Sequence, residues 1–175
     1  MIDVMAMAFA IGAHAAIDQR RKYTGDPYIV HPRAVVKILR DHGINDPHVI
    51  GAAWLHDVVE DTQVTIEQIE TTIGPRIGHM VSELTNVPLE FGNRRARLWE
   101  NLRRSGFASP DSQNIKLADL IDNTRSIVQY DPKFAPKYLE EKADTIDVLT
   151  RAKPLLIETA RKTLQAGWDQ LKNKS

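Results

Sequence analysis

The run His56-Asp57-Val58-Val59-Glu60-Asp61 places four groups able to bind a cation or move a proton within six residues. An adjacent His-Asp pair is a weak motif alone. Helical spacing strengthens it, because Glu60 falls one turn beyond His56 and Asp61 one turn beyond Asp57. The run follows the apolar stretch Ile50-Gly51-Ala52-Ala53-Trp54-Leu55 in the same predicted helix, and carboxylates buried there require compensation. A divalent cation supplies it: neutral imidazole nitrogen and ionised carboxylate oxygen both suit Mn²⁺, Fe²⁺, Co²⁺ or Zn²⁺. The alternative is a solvated acidic helix end next to a hydrogen-bonded core histidine.

Further ligands must come from elsewhere in the chain. His31 precedes Pro32, whose restrained backbone can aim the imidazole at a fixed place near a helix start; a cap or surface histidine is the alternative. Downstream, Lys116, Asp119, Asn123 and Ser126 share one helix face at i, i+3, i+7 and i+10, while Leu117, Leu120, Ile121 and Val128 share the other. Such a polar face commonly just meets water. Spacing leaves both Asp119 and Asp122 open as the fourth ligand.

The elements that must position these residues read as helices throughout. The alanine- and methionine-rich opening predicts a first helix packed on several sides and running to about Asp18. With Asp3 ahead of it and His14 and Asp18 closing it, it reads neither as a signal peptide nor as a membrane span. Pro32 sits in the first turn of a second helix that stops at Gly43, and Asp46-Pro47 opens a third that ends near Asp61. Thr65 and Gln68 form a capping-box pattern, and Gly74-Pro75 separates that short helix from the next. Ser109-Pro110 starts a long helix through Val128, and Asp131-Pro132 starts another. From Pro154 to Leu171, the residues Leu156, Ala160, Leu164, Trp168 and Leu171 form one stripe, read as core, with a homodimer surface as the alternative.

No strand-like alternation persists, and no repeat or linker divides the chain. The 175 residues, 42% hydrophobic, therefore predict one all-α domain over 1–175. The 23 basic and 23 acidic side chains balance, which argues against a nucleic-acid coat as the main partner. The absence of cysteine excludes disulfides, thiolate metal sites and cysteine nucleophiles, and the cytoplasm is the expected compartment.

Three ordered motifs then combine: Gly25-Asp26-Pro27-Tyr28-Ile29-Val30-His31-Pro32, His56-Asp57-Val58-Val59-Glu60-Asp61-Thr62, and Ile115-Lys116-Leu117-Ala118-Asp119 with Asn123 and Arg125. Together they resemble the HD-domain hydrolases of the RelA/SpoT family, specifically the small stand-alone alarmone hydrolases. The resemblance covers about residues 20–130, with C-terminal helices expected over 132–173. It implies an HD-type helical bundle in which His31, His56, Asp57 and Asp119 hold one Mn²⁺ per chain. It further implies that Glu60 and Asp61 act on the water at the 3′-pyrophosphate of a (p)ppGpp-like nucleotide, releasing pyrophosphate. No synthetase domain fits beside it.

So anionic a substrate calls for cationic side chains near the site. Arg21 and Lys22 precede the His31 loop, and Arg94 and Arg97 belong to a second basic cluster, each with a solvated surface charge as its alternative. The resemblance adds Asn123 and Ser126 as contacts to base and ribose. The chain departs from the long bifunctional members where they carry an arginine and it has Lys22, where a threonine is common and it has Ser126, and in the early signature, present only as His14-Ala15-Ala16-Ile17. The expected substrate is therefore (p)ppGpp or a related alarmone such as (p)ppApp, with the nucleobase, and another 3′-phosphorylated nucleotide, left open. The competing readings are another HD-type nucleotide phosphohydrolase and a non-catalytic nucleotide-sensing module.

Overall fold

Prolines and side-chain caps divide residues 1–173, those that the computed structural model describes, into ten α-helices and one 3-10 turn. Residues 174 and 175, the end of the expected domain, lie outside the described residues. In chain order the helices are α1 (Ile2–Ala16), α2 (Val30–Asp41), α3 (Pro47–Leu55), α4 (Val58–Asp61), α5 (Ile66–Thr72), α6 (Pro75–Leu84), α7 (Arg94–Phe107), α8 (Pro110–Tyr130), α9 (Ala135–Val148) and α10 (Pro154–Lys172). The 3-10 turn is Leu89–Phe91. The fold is all-α: among the described residues the one pairing of extended backbone is an isolated bridge between Arg20 and Pro27.

The caps fall where the side chains demand. Asp46 accepts from the His48 N–H at the start of α3, Thr65 and Gln68 make a reciprocal capping box on α5, and Ser109 accepts from the Ser112 N–H at the start of α8. Gly43, at φ 73°, takes the left-handed conformation that lets the chain leave α2.

Two buried helices organise the molecule. α8 packs against α2, α3, α6, α9 and α10, while α3 packs against α1, α2, α6 and α8. A continuous apolar cluster links them, including Leu39, Ile50, Leu55, Ile77, Ile115, Leu117 and Leu139. Burial of each such side chain contributes about 1.5–3 kcal/mol. The C-terminal stripe belongs to this core, with Leu156, Ala160 and Leu164 buried and Trp168 and Leu171 packed at its edge.

Three expectations about the elements need correction, and one element was not predicted. The third helix does not run unbroken to Asp61: it ends at Leu55, and His56-Asp57 form a turn before α4. The His56 Nδ1–H donates to the Ala53 carbonyl at 2.8 Å, taking the acceptor that an uninterrupted helix would offer to the Asp57 N–H. The first helix is covered on one side, with Ala6, Ala10 and His14 buried and Val4, Met5 and Ile11 exposed. It stops at Ala16, ahead of Asp18 at φ 46°. The long helix continues to Tyr130, and the next begins at Ala135, because Asp131 closes α8 through its N–H and then accepts from the N–H groups of Phe134 and Ala135. Finally, the second basic cluster lies on α7, which has no buried residue and so no apolar rhythm to reveal it.

Candidate metal centre and acidic pair

The four predicted ligands come from three places in the chain. His31 sits in the first turn of α2, His56 and Asp57 form the turn between α3 and α4, and Asp119 lies midway along α8. The packing of α2, α3 and α8 on one another brings them together. His31, His56 and Asp119 offer ligand atoms that all lie within 4.8 Å of one another. His31 Nε2 is 3.2 Å from Asp119 Oδ1, and Asp57 Oδ2 is 3.1 Å from His56 Nε2 and 3.5 Å from His31 Nε2. Asp57 stands at the rim of this group and also accepts the Tyr28 hydroxyl hydrogen bond.

Hydrogen bonds on the far side of both imidazoles fix their tautomers. The His31 Nδ1–H donates to Asp122 Oδ2 at 2.6 Å, and the His56 Nδ1–H donates to the Ala53 carbonyl. In the neutral rings both Nε2 lone pairs therefore face the cluster, where each nitrogen is buried without a hydrogen-bond partner. This arrangement separates the two aspartates of α8: Asp119 approaches the Nε2 side of His31, and Asp122 braces the Nδ1 side.

The electrostatics report a shortage of positive charge. Burial works against protonation of His31, but Asp119 and Asp122 outweigh it and raise its pKa. For His56 the same competition, with Asp57 and Asp119, ends well above the usual histidine range. Burial pushes the carboxyls of Asp57 and Asp119 up, and the facing imidazoles more than reverse it, holding both low. Two orphaned imidazole nitrogens and two ionised carboxylates, nearly closed to water, are a donor set that fits a borderline divalent cation.

The acidic pair is held from two directions. Glu60 Oε1 accepts from the main-chain N–H of Asn86 at 2.7 Å and from its side-chain amide at 3.0 Å. Glu60 is exposed at the surface, yet the protein around its carboxyl desolvates it enough to raise its pKa, against the pull of Lys116 and Asn86. Asp61 Oδ2 accepts from Gln19 Nε2 at 2.8 Å.

The predicted substrate contacts divide. Arg21 donates to Asn123 Oδ1 at 3.3 Å and to Ser126 Oγ at 3.2 Å, so these three meet on one wall, and Asn123 in turn donates to Asp119. Lys22 turns instead to Tyr23 and Asp131 at the end of α8. Arg94 pairs with Glu141 of α9, and Arg97 donates to the Gly92 carbonyl, so both are engaged in holding α7.

Sequence reasoning missed five neighbours: Tyr28, Gln19, Asn86, Lys142 and the bracing role of Asp122. Tyr28 lies inside a quoted motif, and Asp122 was one of the two spacing candidates, so both carried a signal. Lys142 arrives from α9; burial and the nearby Lys116 push its pKa down, against Asp119 and Glu141.

Comparison with known proteins gives the family. The HD domain family model matches residues 6–146. Human MESH1, named a guanosine-3′,5′-bis(diphosphate) 3′-pyrophosphohydrolase, is 37% identical over 130 residues, covering 73% of this chain and 70% of the relative. The mouse protein of the same name is 37% identical over 122 residues, 69% of this chain and 67% of the relative. A Synechocystis protein named "Probable guanosine-3′,5′-bis(diphosphate) 3′-pyrophosphohydrolase" is 37% identical over 143 residues; the match covers 79% of this chain but 18% of that much longer protein. The solved structure of a metazoan SpoT ortholog, described as hydrolysing ppGpp, superposes with a TM-score of 0.84 at 27% identity over 94% of each chain. With a family model spanning most of its length and its ligand-type residues gathered at one point, this chain belongs to the HD domain family, among the relatives of MESH1 and SpoT.

Proposed function

We propose that the protein is a Mn²⁺-dependent hydrolase that removes the 3′-pyrophosphate of (p)ppGpp or a related alarmone such as (p)ppApp, acting in the cytoplasm. The observation that carries this reading is the convergence of His31 Nε2, His56 Nε2 and Asp119 Oδ1, with Asp57 Oδ2 at the rim and both imidazole nitrogens buried without partners. The names of MESH1 and of the SpoT ortholog support the substrate class.

In this reading His31, His56, Asp57 and Asp119 hold the cation, with Tyr28 and Asp122 orienting Asp57 and His31 from behind. A bound divalent cation lowers the pKa of water and offsets charge on the attacked phosphoryl group. Glu60, its pKa raised by desolvation, accepts the proton from the attacking water, and Asp61 orients that water. The water oxygen bonds to the phosphorus attached to the ribose 3′ oxygen, that P–O bond breaks, the 3′ oxygen takes up a proton to become a hydroxyl, and pyrophosphate and a nucleoside 5′-di- or triphosphate are the products. Arg21, Asn123 and Ser126 form the nucleoside wall, and Lys116 and Lys142 offset phosphate charge beside Asp119.

Incubation of the Mn²⁺-loaded protein with ppGpp and with ppApp tests this directly. Pyrophosphate and the nucleoside diphosphate are the expected products of at least one of them. Release of orthophosphate instead means a different HD phosphohydrolase, and tight binding without any product means a nucleotide sensor. The division of roles has its own test: Asp57→Ala loses the metal, whereas Glu60→Ala keeps it and loses turnover by about 10²–10⁴-fold.

A further inference from the structure

We propose that His14 and Gln19 form a positioning pair that fixes Asp61 in its working orientation, with the imidazole acting as a polarity lock on the glutamine amide. The inference rests on the proposed hydrolysis, in which Asp61 orients the attacking water. A hydrogen-bonded chain carries it: the His14 Nδ1–H donates to Gln19 Oε1 at 2.6 Å, and Gln19 Nε2 donates to Asp61 Oδ2 at 2.8 Å. Asp61 itself is exposed, so without this tether its side chain would sample several rotamers.

The pair is built in rather than incidental. His14 is 2% exposed, and its ring lies against Tyr28 with centroids 4.7 Å apart. Gln19 is pinned through its own main chain, its N–H donating to the His14 carbonyl and its carbonyl accepting from the Tyr28 N–H, both at 3.0 Å. The tight return that permits this needs Asp18 at φ 46°, a left-handed conformation that costs a non-glycine residue energy. A glutamine amide can present oxygen or nitrogen to its neighbour with almost equal ease. A donor at His14 Nδ1 removes that ambiguity by occupying the oxygen, which leaves the NH₂ group for the carboxylate. Burial lowers the His14 pKa, in keeping with a neutral ring that has one donor. With Oδ2 engaged by Gln19, Oδ1 is the oxygen left to address water.

The test compares Gln19→Leu, His14→Ala and His14→Asn with the parent, each loaded with Mn²⁺ and assayed on ppGpp or ppApp, whichever the parent cleaves. Asn places an amide close to the position of His Nδ1, and because Asp61 claims the Gln19 NH₂ group, the Asn NH₂ is the end that can meet Gln19 Oε1, which restores the donor without the ring. The expected result is a fall in kcat of about 10–100-fold for Gln19→Leu and for His14→Ala, with KM and Mn²⁺ affinity kept near parental values; Tm is kept in Gln19→Leu and falls in His14→Ala, which empties a buried site. His14→Asn recovers most of the loss, and Gln19→Leu adds no further loss on top of Asp61→Ala. An unchanged kcat in Gln19→Leu overturns the pairing, as does a kcat fall in that variant matched by loss of metal or of Tm. His14→Asn as poor as His14→Ala overturns the lock. A parent that cleaves no 3′-pyrophosphate nucleotide overturns the hydrolase reading and this pairing with it, so the two failures are distinguishable.

Discussion

Asp122 decides how His31 presents its second nitrogen. Its carboxylate holds the Nδ1–H at 2.6 Å, which turns Nε2 toward Asp119 and Asp57. Carboxylates that brace a ligating imidazole are typically worth about 10–100-fold in metal affinity, so Asp122→Ala should weaken Mn²⁺ by that much, read by metal titration. At Glu60 the sign follows from desolvation: a base must be ionised to accept a proton, and loss of water around the carboxyl raises the pKa at which it ionises. The acidic limb of kcat/KM should therefore lie above the ordinary glutamate range. Asn86→Ala removes the side-chain amide donors to the ionised form, leaving the main-chain N–H, and should move that limb to higher pH; a limb that stays in place would mean that another group titrates. Residues of this kind differ in how far the sequence exposes them. His31, His56, Asp57 and Asp119 stand in flanked motifs, and a resemblance could assign them. Asp119 and Asp122 could not be separated by spacing, because both fit the helix and only the direction of the His31 ring tells them apart. Gln19 and Asn86 reach the acids across separations of 42 and 26 residues, which no local pattern records.

Elements were legible wherever a side chain marks a boundary. Asp46-Pro47, Thr65 with Gln68, and Ser109-Pro110 each begin a helix as read, because a short polar side chain there satisfies an N–H group that the helix cannot. The interruption at His56-Asp57 was not legible, since the cause is a side chain bonding to the backbone within a stretch that no proline or cap residue divides. That interruption has a consequence for the site. Adjacent residues on an unbroken helix point about 100° apart, whereas the turn lets His56 Nε2 and Asp57 Oδ2 approach to 3.1 Å. α3 carries the turn, so its anchoring is testable apart from its chemistry. Asp46→Ala, which removes the cap at the far end of α3, should cost about 1 kcal/mol. In a chain of this size that is a fall in Tm of roughly 2–4 °C, measurable by thermal unfolding. Mn²⁺ affinity should be unaffected, because the buried body of the helix, Val49 to Leu55, holds the turn in place.

At the scale of the whole molecule, equal numbers of acidic and basic side chains leave no net charge, and the charge that matters is local. The carboxylates of Asp57, Asp119 and Asp122 meet around two buried imidazoles, while cationic side chains stand at the edges of the same hollow. The proposed ligands come from α2, the α3–α4 turn and α8, so a cation joining them ties together parts of the chain as far apart as residues 31 and 119. An unfolded chain cannot present that set, and binding should therefore appear as stability. At a free Mn²⁺ concentration 100 times its Kd the gain is about 2.7 kcal/mol. For a chain of this length that corresponds to a rise in Tm of about 5–10 °C over the protein in EDTA. His31→Ala removes one buried nitrogen ligand and should abolish the difference; it should also lower Tm in EDTA, because Asp119 and Asp122 lose the imidazole between them, so the Mn²⁺-minus-EDTA difference is the readout. Mg²⁺, which favours oxygen ligands and keeps its waters, should raise Tm less at the same concentration. Equal protection by Mg²⁺ and Mn²⁺, persisting in His31→Ala, would mean that the stabilising site lies elsewhere and that the imidazoles do not bind the cation.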